Sequence, residues 1–272
     1  MKKKFFAMMM AFCLMATLLI PANAYTQRQY HIAEALNALD LFRGKGGTAG
    51  YDLDANLTRA EGATLLVRVL GKETESQNGG NFGMPFTDVP FWAQGYVGYA
   101  WKNGITNGTN EALGQFSPDA PLSDFMFLTL VLRALNYTDQ GENPQFAWND
   151  PYTLAAQVGL LEKAEKDNDF TRGEAVEILW RALTCKYNGE QVTLSERLIE
   201  QKVFTKAEYT KAKDIQKNGA DKNADSSTGS GNREEQKPSA PQKPVTPVQP
   251  EKPNNGDSDG NWVPDADETE RG

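Results

Sequence analysis

The chain has 272 residues, 39% hydrophobic and 10% aromatic, enough for one or two domains with a buried core. Once the three lysines of residues 1–24 are set aside, 25 basic side chains face 36 acidic ones, a net charge of −11. That balance argues against nucleic acid or an anionic membrane surface as a bulk partner, so an anionic ligand would have to be held by a few local cations.

Residues 1–24 read as a secretory signal peptide. Lys2-Lys3-Lys4 is a basic n-region, Phe5 to Ile20 an apolar run, and Ala22-Asn23-Ala24 an A-x-A cleavage site. The apolar run is too short for a comfortable membrane span. Cys13 follows the bulky Phe12, which argues against lipidation there. After cleavage Cys185 is the sole cysteine and His31 the sole histidine, so no internal disulfide and no Cys-rich zinc site is expected. No later run is long enough to cross a membrane. The expectation is an exported protein that needs no metal and no cofactor.

The next stretches repeat. Aligned on Thr58, Ser123 and Thr171, three segments carry Asp54, Asp119 and Asp167 four residues earlier, and Leu57, Leu122 and Phe170 one residue earlier. Leu65-Leu66, Leu130-Val131 and Ile178-Leu179 then recur on one helical face, followed by Arg68, Arg133 and Arg181, and by Leu70, Leu135 and Leu183. Thr58-Arg59-Ala60-Glu61 and Thr171-Arg172-Gly173-Glu174 are capping boxes. In the middle copy Ser123 can still cap, but Met126 replaces the glutamate. An upstream helix recurs too, around Ala35-Leu36, Tyr99-Ala100 and Ala155. Gly44 and Gly108 follow in two copies, where a positive φ or a close backbone approach is expected. Phe86-Thr87-Asp88 and Trp148-Asn149-Asp150 share an aromatic–x–Asp lead-in.

The repeats are placed at 25–72, 84–138 and 146–186. Thr193-Leu194-Ser195-Glu196 and Thr205-Lys206-Ala207-Glu208 are further capping boxes, read as a short helical hairpin at 190–213 that closes the domain. Residues 214–272 read as a disordered linker or tail. Trp262 is the one aromatic after residue 210, and 7 of the 14 prolines fall between Pro238 and Pro264. Within it, Asp257, Asp259, Asn261, Asp265 and Glu268 hold oxygen positions of a calcium loop. Trp262 stands where glycine is needed, so the segment reads as a solvated acidic tail.

The aromatic–x–Asp, Trp92, Gly104-Ile105-Thr106-Asn107-Gly108, Phe116-Ser117-Pro118-Asp119 and Thr-Arg-Ala-Glu motifs resemble those of S-layer homology (SLH) domains. The chain is similar to a triplet of them over about residues 25–186. The resemblance implies an all-α pseudo-threefold spindle, with one helix from each repeat in a central three-helix bundle and loop or helix prongs around it. It also implies that grooves between prongs hold a secondary cell-wall polysaccharide linked to peptidoglycan, often pyruvylated, on the wall or S-layer of a Gram-positive-type envelope.

Carried over residue by residue, the resemblance makes Arg59 and Arg172 the cations for an acidic sugar. Asp88 and Asp150 become acceptors for sugar hydroxyls, Trp92 a flat apolar face, and Gly108 and Gly44 points of close backbone approach. Plainer roles compete: both aspartates could cap helices, Trp92 could pack, and Arg68, Arg133 and Arg181 sit mid-helix where structural roles fit best. Asp124 occupies the arginine position of the middle copy, and Lys163 lies near the glycine position of the third, so at most two competent grooves are expected. The reading is a non-catalytic anchoring module. The alternatives are a wall-glycan enzyme using a carboxylate pair such as Asp88 with Glu61 or Glu174, and an envelope protein–protein adaptor.

Overall fold

Helices dominate the described residues, which are 25–44, 50–166 and 170–219 of the computed structural model, and no strand occurs among them. All fall within one unit, 1–226; the expected leader at 1–24, the tail beyond 219 and the calcium-loop-like segment lie outside the described residues. In chain order the helices are α1 Gln27–Ala38, α2 Arg59–Val69, α3 Glu73–Asn78, α4 Gln94–Lys102, α5 Asp124–Ala134, α6 Tyr152–Gln157, α7 Arg172–Ala182, α8 Leu194–Glu200 and α9 Lys206–Asn218.

The second helices of the three repeats, α2, α5 and α7, pack against one another. Their apolar stripes form the core: Leu65, Leu66, Phe127, Leu128, Val131, Ile178 and Leu179 are all buried. Gly62 lets α2 approach the segment leading into α5 closely, because a Cβ there would sit 2.1 Å from Leu122 Cδ2.

The first helices are arranged cyclically. Each packs on the second helix of the preceding repeat: α4 on α2, α6 on α5, and α1 on α7. The last contact joins the beginning of the domain to its end. Helix α9 covers α1 and runs to Asn218, past the boundary expected at 213. It therefore packs as a cap on α1 more than as one arm of a hairpin. A smaller cluster around Phe86, Val89, Val97 and Phe116 lies under the loops of repeat 2, against Ala60 and Ala63 of α2.

Backbone hydrogen bonds stitch the repeats in the same cyclic sense. Arg59 N–H donates to Ala120 O and Ala60 N–H to Pro118 O, both at 3.0 Å, and Leu122 N–H returns to Leu57 O at 2.9 Å. At the junction of repeats 3 and 1, Arg172 N–H and Gly173 N–H donate to Ala55 O and Leu53 O, both at 2.8 Å. Amides that a helix start leaves unpaired are thus satisfied by another repeat.

The expected capping boxes form at Thr58, Thr171, Thr193 and Thr205. A further one, Thr26 with Gln29, begins α1; its T-x-x-Q pattern was legible in the sequence. Ser123 departs from expectation. It occupies the cap position of α5 but makes no cap bond, and its Oγ is buried without a partner. Phe125 N–H instead bonds Asp124 Oδ1 at 2.7 Å. Ser123→Ala is therefore expected to leave stability nearly unchanged, whereas Thr58→Ala and Thr171→Ala should each cost about 1 kcal/mol in urea titrations.

The positive φ expected at Gly44 and Gly108 is found elsewhere, at Asp40 (56°), Gly104 (68°) and Gly159 (92°), each just past the end of a first helix. The close approach is real. A Cβ on Gly44 would lie 2.1 Å from Gly50 O, and one on Gly108 2.6 Å from Gln115 O. The same glycine in two copies lets the loop fold back on itself. Cys185 is buried, and burial pushes its thiol up to about 11, so it stays protonated at neutral pH.

Candidate functional site: grooves between repeats

Arg59 begins α2 and reaches into repeat 2. Its Nε donates to Phe116 O and its Nη2 to Asn107 O, both at 3.0 Å, with the guanidinium 4.6 Å above the Phe116 ring. Arg172 does the same one junction away: Nε donates to Tyr51 O at 3.0 Å, Nη2 to Arg43 O at 3.1 Å, and the group lies 4.9 Å over Phe42. Burial lowers the pKa of both, opposed at Arg59 by the charge of Asp88 and at Arg172 by Glu61 and Asp52. Both remain charged, because an arginine guanidinium keeps its proton in proteins.

The two differ in access. Arg172 is 5% exposed. Arg59 is only half-buried and lines a groove of about 520 Å³ between repeats 1 and 2. Asn107 and Gly108, Met126 and Leu130 of α5, and Trp148 line that groove with it. Arg133 also lines it, but its charge is spent on Asp139, through Nε–Oδ1 and Nη2–Oδ2 contacts of 2.8 and 2.6 Å. The groove thus combines a cation, backbone and hydroxyl groups, and apolar walls, a set suited to an anionic sugar.

The pseudo-equivalent groove between repeats 2 and 3, about 350 Å³, has the opposite character. Asp124 stands where Arg59 would be, and Glu162, Glu165, Glu174 and Glu177 join it, with Arg28 and Arg181 the cations in its wall. Asp124 is 6% exposed and accepts from Tyr152 Oη at 3.1 and 3.0 Å. The Arg181 guanidinium, hydrogen-bonded to Glu162, holds that carboxyl below its ordinary value. An anionic ligand meets repulsion here.

The other sequence candidates separate. Gly108 joins Arg59 in one groove. Gly44 adjoins Arg43, whose carbonyl receives Arg172. Asp88 is exposed and lies outside the walls of both grooves; its two oxygens accept from Phe116 N–H and Ser117 N–H at 2.8 Å each. It positions the loop whose carbonyl holds Arg59. Trp92 is 51% exposed beside Phe91, in a short 3₁₀ turn ahead of α4, and Asp150 is exposed before α6. Neither belongs to the wall of the two grooves. Trp148, the aromatic of the third repeat's aromatic–x–Asp lead-in, stacks obliquely on Phe125, ring centroids 5.9 Å apart, with 53% of its surface exposed. Its signal was an aromatic in a lead-in that repeat 2 fills with the buried Phe86.

Arg68, Arg133 and Arg181 each meet a carboxylate, Glu73, Asp139 and Glu162 respectively. No group of three or more metal-ligating side chains occurs among the described residues.

No family model matches the chain. It is similar to a protein named "Cell surface protein" from Thermoanaerobacter kivui, 34% identical over 183 residues, which is 64% of this chain and 23% of the relative. It is also similar to a "Middle cell wall protein" from Brevibacillus brevis, 30% identical over 152 residues, covering 54% of this chain and 14% of the relative. The chain therefore spans less than a quarter of the length of the relatives it matches.

Proposed function

We propose that this chain is a non-catalytic cell-envelope module, exported to the wall of a Gram-positive-type envelope. In this reading it is an SLH-like triplet that holds an acidic secondary cell-wall polysaccharide, such as a pyruvylated one, in the groove between repeats 1 and 2. The names of the two relatives support an envelope role. The observation that carries the reading is Arg59: an accessible guanidinium fixed by two backbone carbonyls in an open, partly apolar groove of an acidic protein. The carboxylates that an enzyme would need support the non-catalytic reading. Asp88 is engaged by two loop amides, and Glu61 and Glu174 each accept from the amide at their own helix cap.

The test is sedimentation of the mature full-length chain with purified cell walls, before and after the secondary polymer is extracted. Binding should vanish with the polymer; equal binding afterwards would overturn the assignment. Arg59→Ala should weaken binding roughly ten- to a hundredfold through loss of a charge-assisted contact. Arg172→Ala serves as the contrast. It leaves the Tyr51 and Arg43 carbonyls without their buried donor and should lower stability by about 2–3 kcal/mol, read by urea denaturation.

A further inference from the structure

Five Asn-Gly pairs lie within the described residues, at 78–79, 103–104, 107–108, 188–189 and 218–219. Such pairs lose ammonia when the glycine amide nitrogen attacks the asparagine side-chain carbonyl, because glycine offers that nitrogen no steric protection. The reaction needs a nitrogen free of hydrogen bonds and a side chain able to swing onto it. Four of the five pairs are restrained. Gly79 N–H donates to Glu75 O at 3.1 Å, Gly104 N–H to Trp101 O at 3.0 Å and Gly219 N–H to Ile215 O at 2.7 Å. Asn103 Nδ2 is also tied to Tyr99 O at 2.8 Å. Asn188 is held on both sides of its amide, donating to Asn136 O at 3.1 Å and to Gln145 Oε1 at 3.0 Å, and accepting from Gln145 Nε2 at 3.2 Å.

Asn107-Gly108 has neither restraint. Among the described residues, no partner engages the Gly108 N–H or the Asn107 side chain, and both residues are half-buried in the groove wall. The Asn107 carbonyl, the other half of the Gly108 peptide, accepts from Arg59 Nη2 at 3.0 Å. A guanidinium there stabilises the negative charge that spreads onto this oxygen when the Gly108 nitrogen loses its proton.

We infer that Asn107 is a self-modification site, the point at which the folded domain deamidates first, and that the change closes the groove to anions. Base removes the Gly108 amide proton, and the nitrogen then bonds to Asn107 Cγ. The Cγ–Nδ2 bond breaks and ammonia leaves. Water opens the resulting five-membered imide at either carbonyl, giving aspartate or isoaspartate. Overall one water is consumed, one ammonia is released and one negative charge appears in the Arg59 groove, where it competes for the guanidinium. The isoaspartate product also lengthens the backbone at the carbonyl that holds Arg59. The consequence for binding rests on the function proposed above; the chemistry does not.

The experiment ages the mature full-length protein in mildly alkaline buffer and maps peptides by mass spectrometry, with isoaspartate detected enzymatically. Conversion at Asn107 ahead of positions 78, 103, 188 and 218 is expected, with none at 107 in Asn107→Gln, whose longer side chain forms the cyclic imide far more slowly. Equal conversion at all five positions, or none at 107, would overturn the inference. Asn107→Asp, which reproduces the charge, and wild type aged until position 107 is converted should both lose the wall binding that unaged wild type shows; retained binding by Asn107→Asp would overturn the closure of the groove. If unaged wild-type protein fails to bind walls, the functional reading falls and the mapping still decides the chemistry.

Discussion

Replacing Asp139 with alanine is expected to lower the unfolding free energy by about 3–5 kcal/mol, the usual penalty for stranding one partner of a buried ion pair. The Asp139 carboxylate is 4% exposed and that of its partner Arg133 11%. The pair is bidentate, and Arg133 Nη1 also donates to Ile105 O at 3.3 Å, so removing Asp139 leaves a charged group pinned in the wall of the groove. The sign of the pH dependence follows. Burial alone would raise the Asp139 pKa, but the hydrogen bonds and charge of Arg133 outweigh it and hold the group below its ordinary 3.8. A depressed folded value means that the contribution is complete above the ordinary carboxylate range and is lost as pH falls through the folded value. Urea titrations at about pH 7 and about pH 3 should show wild type losing stability that Asp139→Asn has already lost. A variant no weaker than wild type at neutral pH would show the pair to be dispensable.

The second large effect concerns the closure of the ring. Helix α1 is the only first helix whose partner lies at the far end of the domain, and it is held on one side by α7 and on another by α9. It buries Ile32, Ala33, Ala35 and Leu36 to 1% exposure or less. Beginning the chain at residue 50 should therefore abolish a cooperative unfolding transition, because α7 and α9 would both expose apolar faces. The point variant Leu36→Ala should cost about 2–5 kcal/mol, read from the urea midpoint at unchanged slope. If the shortened chain melts cooperatively near the wild-type temperature, α1 is an appendage and not the closing element.

The groove chemistry follows from the same cyclic plan. The starts of α2 and α7 dock on the next repeat and the start of α5 lines the groove toward repeat 3, so one sequence position in each repeat, occupied by Arg59, Asp124 and Arg172, faces an inter-repeat junction. The side chain there decides what the junction does. Arginine over a half-open loop puts a cation at the edge of a groove; arginine shut in behind Phe42 and the loop carbonyls makes a buried tie; aspartate amid glutamates makes a groove lined with carboxylates. Three similar repeats are thus put to three uses.

What the sequence determined by itself was the local order. Helix starts were legible because a Thr hydroxyl and a Glu or Gln three residues on meet within one turn, whatever the rest of the chain does. The helical repeat and its apolar stripes were legible for the same reason, as was the departure at Asp124. What only the tertiary structure decided was everything that depends on a partner from another repeat. Asp88 and Asp150 share a motif and both are exposed, yet the first ties down amides 28 and 29 residues away while the second sits at the start of α6 outside both grooves. Arg59 and Arg172 share a motif and a bonding pattern, yet only one faces the open groove beside Trp148. Hydrogen bonds and burial across a junction depend on how loops of unequal length close over it, and the spacing within one repeat carries no record of that.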